Sequence, residues 1–209
     1  MIYIRAGVFA EGPTDYDFLL PLLDRLLDEH AASLFPAAYE LGPTARIGVP
    51  SNSDGGRAER MAAAIERWWD ACTLFVIHSD GAGDPLSAKQ RCIEPGLKTA
   101  GSSRPERSIA AAACVPVRET EAWMLVDPAV FHMLLGASAT LSCPSDPEHD
   151  PDQKATLQRI LKDGGLRRPQ RVYAYFGEHV RFETMRVLPA FKAFEDELVA
   201  SLGQHAASA

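Results

Sequence analysis

A chain of 209 residues with 46% hydrophobic content can bury a sizeable core, and one α/β unit with attached helices is expected rather than two independent domains. A net charge of -7 excludes a global basic field for holding nucleic acid, so any polyanion must meet a local basic strip or a bound cation. Cys72, Cys92, Cys114 and Cys143 form neither a CxxC pair nor a dense framework, the N-terminus has no secretory pattern, and no apolar run reaches the roughly 18 residues of a membrane span, so reduced thiols, a cytoplasmic setting and no membrane partner are expected.

In chain order, residues 3 to 10 form an apolar run of strand length that stops at Glu11-Gly12-Pro13-Thr14-Asp15. Thr14 can cap a helix there, with Asp15 and Asp17 near the positive end of its dipole. Phe18, Leu19, Leu22, Leu23, Leu26 and Leu27 mark one face of that helix to about residue 30. Pro21 implies either a kink or regular helix beginning near that turn. Residues 31 to 44 read as irregular, and 45 to 49 as a short strand ending at Pro50.

The polar stretch Ser51-Asn52-Ser53-Asp54-Gly55-Gly56 then feeds a helix from about Arg57, with Met61, Ile65, Trp68 or Trp69, and Cys72 on one side. Free amides at such a helix start can hold a phosphate, which makes Gly55, Gly56 and Arg57 candidate substrate contacts; a solvent turn explains the loop as well. Residues 73 to 78 give the strongest buried-strand signal, stopped by Ser79-Asp80-Gly81-Ala82-Gly83-Asp84-Pro85. A helix over 86 to 100 and an apolar run over 109 to 117 follow. That run meets Arg118-Glu119-Thr120-Glu121-Ala122-Trp123-Met124-Leu125.

Strand and helix thus alternate four times, which predicts a mainly parallel sheet covered by helices on both faces. Domain boundaries are set at 1–140 for the α/β domain and 141–209 for a helical appendage packed on it, with helices near 151 to 163, 177 to 188 and 190 to 202. The Arg167-Arg168-Pro169-Gln170-Arg171 cluster is its most basic point and reads as solvated surface.

Three acidic groups fall at the carboxyl ends of separate strands: Glu11 with Asp15, Asp80 with Asp84, and Glu119 with Glu121. Converging carboxylates repel, and a hard cation such as Mg²⁺ (or Mn²⁺) relieves the repulsion while leaving positions open for phosphate oxygens. A second ion would stabilise both attacking and leaving oxygens in phosphodiester cleavage. The competing explanation is that each acid caps its own helix, which suits Asp15, Asp17, Glu119 and Glu121 better than Glu11 and Asp80. Arg118 can pair with Glu119 or with a phosphate.

The Glu11-Gly12-Pro13-Thr14-Asp15 corner, the acidic turn at Asp80 and the Arg118-Glu119-Thr120-Glu121-Ala122-Trp123 block together resemble the Toprim domain. That domain occurs in topoisomerases, bacterial primases and nucleases of the overcoming-lysogenization-defect type; the last block resembles an uncharacterised bacterial Toprim-like family. The resemblance covers roughly residues 3 to 135. It implies a Toprim/Rossmann-like sheet and a Mg²⁺-dependent nuclease, with nucleic acid as substrate (DNA before RNA), an ATPase as partner, and a role in phage defence or DNA repair. Glu11 takes the place of a metal ligand or general base and Asp15 that of the second acid of the nuclease branch. Asp80 falls in the Asp-x-Asp motif, where this chain departs: with Asp80 first, the second position is Ala82, and with Asp80 second, the first is His78. Asp84 can compensate from the loop, while Glu119 and Glu121 match the acidic site after the fourth strand. A non-catalytic binding or regulatory module is the alternative that His78 and Ala82 favour.

Overall fold

The computed structural model describes residues 1–35, 38–48, 55–106, 108–166 and 171–208. Val49, Pro50, Ser51 to Asp54 and Arg167 to Gln170, named in the expectations above, lie outside the described residues. The protein is α/β, with parallel strands flanked by helices.

The first apolar run is two strands, not one. β1 (Ile2–Ile4) pairs in parallel with β3 (Tyr39–Leu41), whereas β2 (Ala6–Phe9) enters a parallel sheet of order β4-β2-β5-β6, with β4 (Ala45–Arg46), β5 (Leu74–His78) and β6 (Ala111–Cys114). The change of partner occurs at Arg5, whose N–H is taken by the Thr73 hydroxyl at 2.9 Å. Residues 31 to 44 are correspondingly less irregular than expected: α1 (Pro13–Leu34) continues to residue 34 and β3 follows. α1 is continuous through Pro21.

Strand pleating sorts the core into two faces. Ala6 and Val8, Leu74 and Val76, and Ala112 and Cys114 join one cluster, containing the apolar face of α1. Phe9, Phe75, Ile77, Ala113 and Val115 join the other, with Met61, Ile65 and Trp69 from and just after α2 (Arg57–Trp68). The second cluster also takes Ala88 and Ile93 from a helical run expected over 86 to 100. That run is α3 (Pro85–Ala88), a π-turn over Lys89–Ile93, and α4 (Glu94–Ser103). Pro95 has no N–H for an α-type bond, which accounts for the break in regular winding there.

The first cluster is closed by α5 (Glu121–Leu125), α6 (Pro128–Leu135), α7 (Gln153–Asp163), α8 (Val172–His179), α9 (Phe182–Met185) and α10 (Pro189–Ser208). Gly177 lets α8 approach α1 closely, since a Cβ there would lie 2.3 Å from the Phe18 carbonyl oxygen. α10 covers the outer edge of β6. Glu197 accepts from the Ala113 N–H at 3.0 Å and the Ser201 hydroxyl donates to the Ala111 carbonyl at 2.7 Å, so the open ladder of an edge strand is occupied. All four cysteines are free thiols. No described helix is long and apolar enough to cross a membrane.

Candidate metal centre

Because β2, β5 and β6 are adjacent, the residues that follow them meet at one edge of the sheet, the edge where open parallel sheets place ligands. A cavity of about 240 Å³ there is lined by Glu11, Gly12, Thr14, Asp15, Asp80, Glu119, Glu121 and Lys154. The three predicted acidic groups therefore do converge, with the exception of Asp84. Its carboxylate accepts from the Ser87 N–H at 3.0 Å and caps α3, and it does not line the cavity.

Backbone geometry fixes each acid. Asp15 lies in the first turn of α1, where one oxygen accepts the Gly12 N–H at 2.9 Å and the other the Thr120 hydroxyl at 3.3 Å. Glu11 accepts the Ser79 hydroxyl at 3.1 Å and is paired with Arg57 at 2.9 Å. The loop bearing Asp80 is pinned to the segment after β6: Gly81 N–H donates to the Arg118 carbonyl at 3.0 Å and Gly83 N–H to the Val117 carbonyl at 2.7 Å. Residue 81 must be glycine for this, since a Cβ would stand 2.1 Å from the Pro116 carbonyl oxygen. Ala82 and Gly83 both adopt positive φ, completing the tight loop.

Glu119 is held through its N–H by the buried Gln153 side chain at 3.0 Å. Gln153 donates in turn to the carbonyls of Pro147 and Glu148, at 2.9 and 3.1 Å. This places the next residue, Lys154, at the cavity. Glu121 is buried at the start of α5; the Tyr173 hydroxyl donates to it at 2.6 Å and Lys154 lies 3.9 Å away. Of the basic candidates, Arg57 is committed to Glu11 and to the carbonyls of His78 and Cys92, at 2.5 and 3.2 Å. Arg118 is exposed and makes no ion pair among the described residues. Gly55 and Gly56 precede α2 away from the cavity lining.

The electrostatics are those of crowded carboxylates. Burial, then the charges of Asp15, Glu11, Glu119 and Glu121, push Asp80 up to about 7. Burial also raises Asp15, against its hydrogen bonds to Gly12 and Thr120, and raises Glu119, reinforced by Glu121. Tyr173 is pushed up by burial and by its bond to Glu121. His78, at the end of β5, is fully buried and held neutral, its value lowered to about 4 chiefly by desolvation. Its Nδ1 stands 3.8 Å from Asp15 and its Nε2 3.6 Å from Asp80.

The donor set suits a hard divalent cation, since it is carboxylate oxygen whose negative charge Arg57 and Lys154 offset only in part. It is also open. Among the described residues, the cluster that brings three ligating atoms within 4.8 Å of one another is Glu29, His30 and Glu195, not the cavity acids. An ion at the cavity would thus touch few protein atoms and reach the others through water, as Mg²⁺ commonly does. The Glu29 cluster already contains a cation: Arg186 pairs with both Glu195 and Glu29, and Glu195 also meets His30 at 3.0 Å.

Ser79, Thr120, Gln153, Lys154 and Tyr173 were not singled out in the sequence. Ser79 and Thr120 adjoin the acids and were findable from their place at strand ends. Gln153, Lys154 and Tyr173 come from helices after residue 141, with no local pattern pointing to the sheet edge. Comparison with protein-family models, with curated proteins and with solved structures found no match for this chain.

Proposed function

We propose that the protein is a divalent-metal-dependent hydrolase of nucleic-acid phosphodiesters, Toprim-like in kind, with Mg²⁺ or Mn²⁺ as cofactor and DNA as the preferred substrate. The observation that carries this reading is the convergence of Glu11, Asp15, Asp80, Glu119 and Glu121 on one cavity at the carboxyl ends of three adjacent parallel strands. Burial first, and then the charges of Asp15, Glu11, Glu119 and Glu121, raise Asp80 to about 7, and the second contribution requires that these acids share one site rather than only cap separate helices.

In this reading Glu11, Asp80 and Glu119 hold the ion, and the ion supplies charge neutralisation and polarisation of a phosphoryl oxygen. Asp15 has both oxygens engaged by Gly12 and Thr120 and positions the corner. Glu11, two-fifths exposed and oriented by Arg57 and Ser79, would instead act as the base toward an attacking water if Asp80 and Glu119 alone held the ion. Lys154 and Arg118, which makes no ion pair among the described residues, supply the local positive charge that an acidic protein needs to hold a phosphate. An ATPase partner, a cytoplasmic setting and a place in phage defence or DNA repair belong to the same proposal.

A second reading is a binding or regulatory module of the same shape without chemistry. It is favoured by one observation, that the cavity acids do not bring three ligating atoms within 4.8 Å. Incubating labelled single- and double-stranded DNA and RNA with the protein, with Mg²⁺, Mn²⁺ or EDTA, separates the two. Metal-dependent cleavage supports the hydrolase; metal-dependent retention of intact strands supports the module, and neither result in any metal contradicts both.

A further inference from the structure

His78 is the side chain of the cavity region whose chemistry is not accounted for. It is fully buried at the end of β5, and neither ring nitrogen has a hydrogen-bond partner. Buried polar atoms in folded proteins are nearly always satisfied, so two orphans on one ring call for a ligand. Both nitrogens face acids that line the cavity: Nδ1 is 3.8 Å from Asp15 Oδ2, and Nε2 is 3.6 Å from Asp80 Oδ1.

A neutral imidazole has one N–H and one lone pair. Whichever nitrogen holds the proton, the other turns its lone pair on a carboxylate, which is repulsive unless a proton or a metal ion lies between. Asp15 is the better acceptor for the N–H, since its oxygens are already fixed by Gly12 and Thr120. That leaves the Nε2 lone pair facing Asp80, across a distance too long for a hydrogen bond. The same distance is within reach of two atoms bound to one ion at about 2.0–2.2 Å each.

We propose that His78 Nε2 and Asp80 Oδ1 chelate a single divalent ion of the Mn²⁺-to-Zn²⁺ series in preference to Mg²⁺. Asp15 stands behind the ring, its Oδ2 3.8 Å from Nδ1, and would accept Nδ1–H only once that gap closes on metal binding. The resulting order of carboxylate, histidine and metal is the arrangement by which second partners fix a histidine's tautomer and raise its basicity. Imidazole favours later first-row ions over Mg²⁺, so a histidine at this point changes the metal the cavity selects. Glu11 and Glu119, too distant to complete a three-atom cluster, reach the ion through water. This rests on the metal-dependent reading above and sharpens it from a hard-cation site to a mixed nitrogen and oxygen site.

The test is pulsed electron paramagnetic resonance on the full chain with one equivalent of Mn²⁺. The expected spectrum shows modulation from a directly bound ¹⁴N imidazole, which changes on ¹⁵N-histidine labelling and disappears in His78→Gln and Asp80→Asn. His78→Asp is expected to keep an ion but to lower the Mn²⁺ preference over Mg²⁺ by roughly tenfold or more. Should His78→Gln fail to fold, the labelled wild type together with His78→Asp and Asp80→Asn decides the matter. Mn²⁺ bound in an Asp80-dependent way with no nitrogen modulation overturns the chelate and leaves the hydrolase reading standing. No Mn²⁺ bound at millimolar concentration overturns both.

Discussion

Asp15 Oδ1 accepts a hydrogen bond from the Thr120 hydroxyl at 3.3 Å, tying the first turn of α1 to the segment that follows β6. The contact spans 105 positions of sequence and joins the two motifs that suggested a metal centre. It also brings a half-buried carboxylate within the field of Asp80, whose value it helps burial to raise.

Stability should fall as pH rises through the titration of Asp80. Its native value of about 7 lies above its ordinary 3.8, so between these limits the folded protein holds a proton that the unfolded chain has lost. The stabilisation is complete below pH 4, declines from there to about pH 7, and is absent above. Asp80 is nearly half exposed, so after solvent screening the loss is on the order of 1–2 kcal/mol. Asp80→Asn should flatten the profile and melt higher than wild type at pH 8. A steeper profile in the variant would contradict the assignment.

Divalent metal should reverse that loss. At pH 8 an ion at about one hundred times its dissociation constant adds roughly 2.7 kcal/mol, seen as a rise in melting temperature. Glu11→Gln should weaken the rise and Asp80→Asn should abolish most of it. Equal shifts in all three proteins would place the ion elsewhere.

The other ligand-like cluster behaves differently, because a guanidinium already fills it. Arg186→Ala leaves Glu195, almost fully buried, beside Glu29 without its counterion and should cost about 3–5 kcal/mol in denaturant melts. Zn²⁺ should then stabilise this variant more than wild type, since Glu29, His30 and Glu195 become free to ligate. A variant as stable as wild type would mean that Glu195 is protonated or solvated there.

Trp123 couples the acidic block to the last helix. It is fully buried, with Phe191 edge-on at 5.3 Å and Phe194 stacked at 5.8 Å. Trp123→Ala should cost about 3–5 kcal/mol in chemical denaturation. The same core predicts that a chain cut after residue 140 loses cooperative unfolding, and a sharp transition in that fragment would refute the coupling.

The strands that form the cavity edge were legible because buried parallel strands are short apolar runs, and residues 73 to 78 form such a run. Their order was not legible. Adjacency of β2, β5 and β6 depends on long-range pairing, and only that pairing shows that Glu11, Asp80 and Glu119 meet. The division of residues 3 to 10 into two strands was hidden for the same reason: Ile4 and Ala6 are both buried and apolar, and only their partners differ. Asp84 looked like a ligand because composition cannot distinguish a carboxylate that caps α3 from one that faces a cavity. Lys154 and Tyr173 reach the acids from helices whose own patterns report only a core face. His78 was visible as a departure from the Asp-x-Asp pattern, but its two unsatisfied nitrogens required coordinates.

The most direct test of the central claim is nicking of supercoiled plasmid by purified protein in Mg²⁺ and in Mn²⁺, with Glu11→Gln and Asp80→Asn beside the wild type. Metal-dependent nicking that EDTA abolishes and that each substitution lowers by about a hundredfold or more is the predicted result. Equal rates in the wild type and both variants would contradict it.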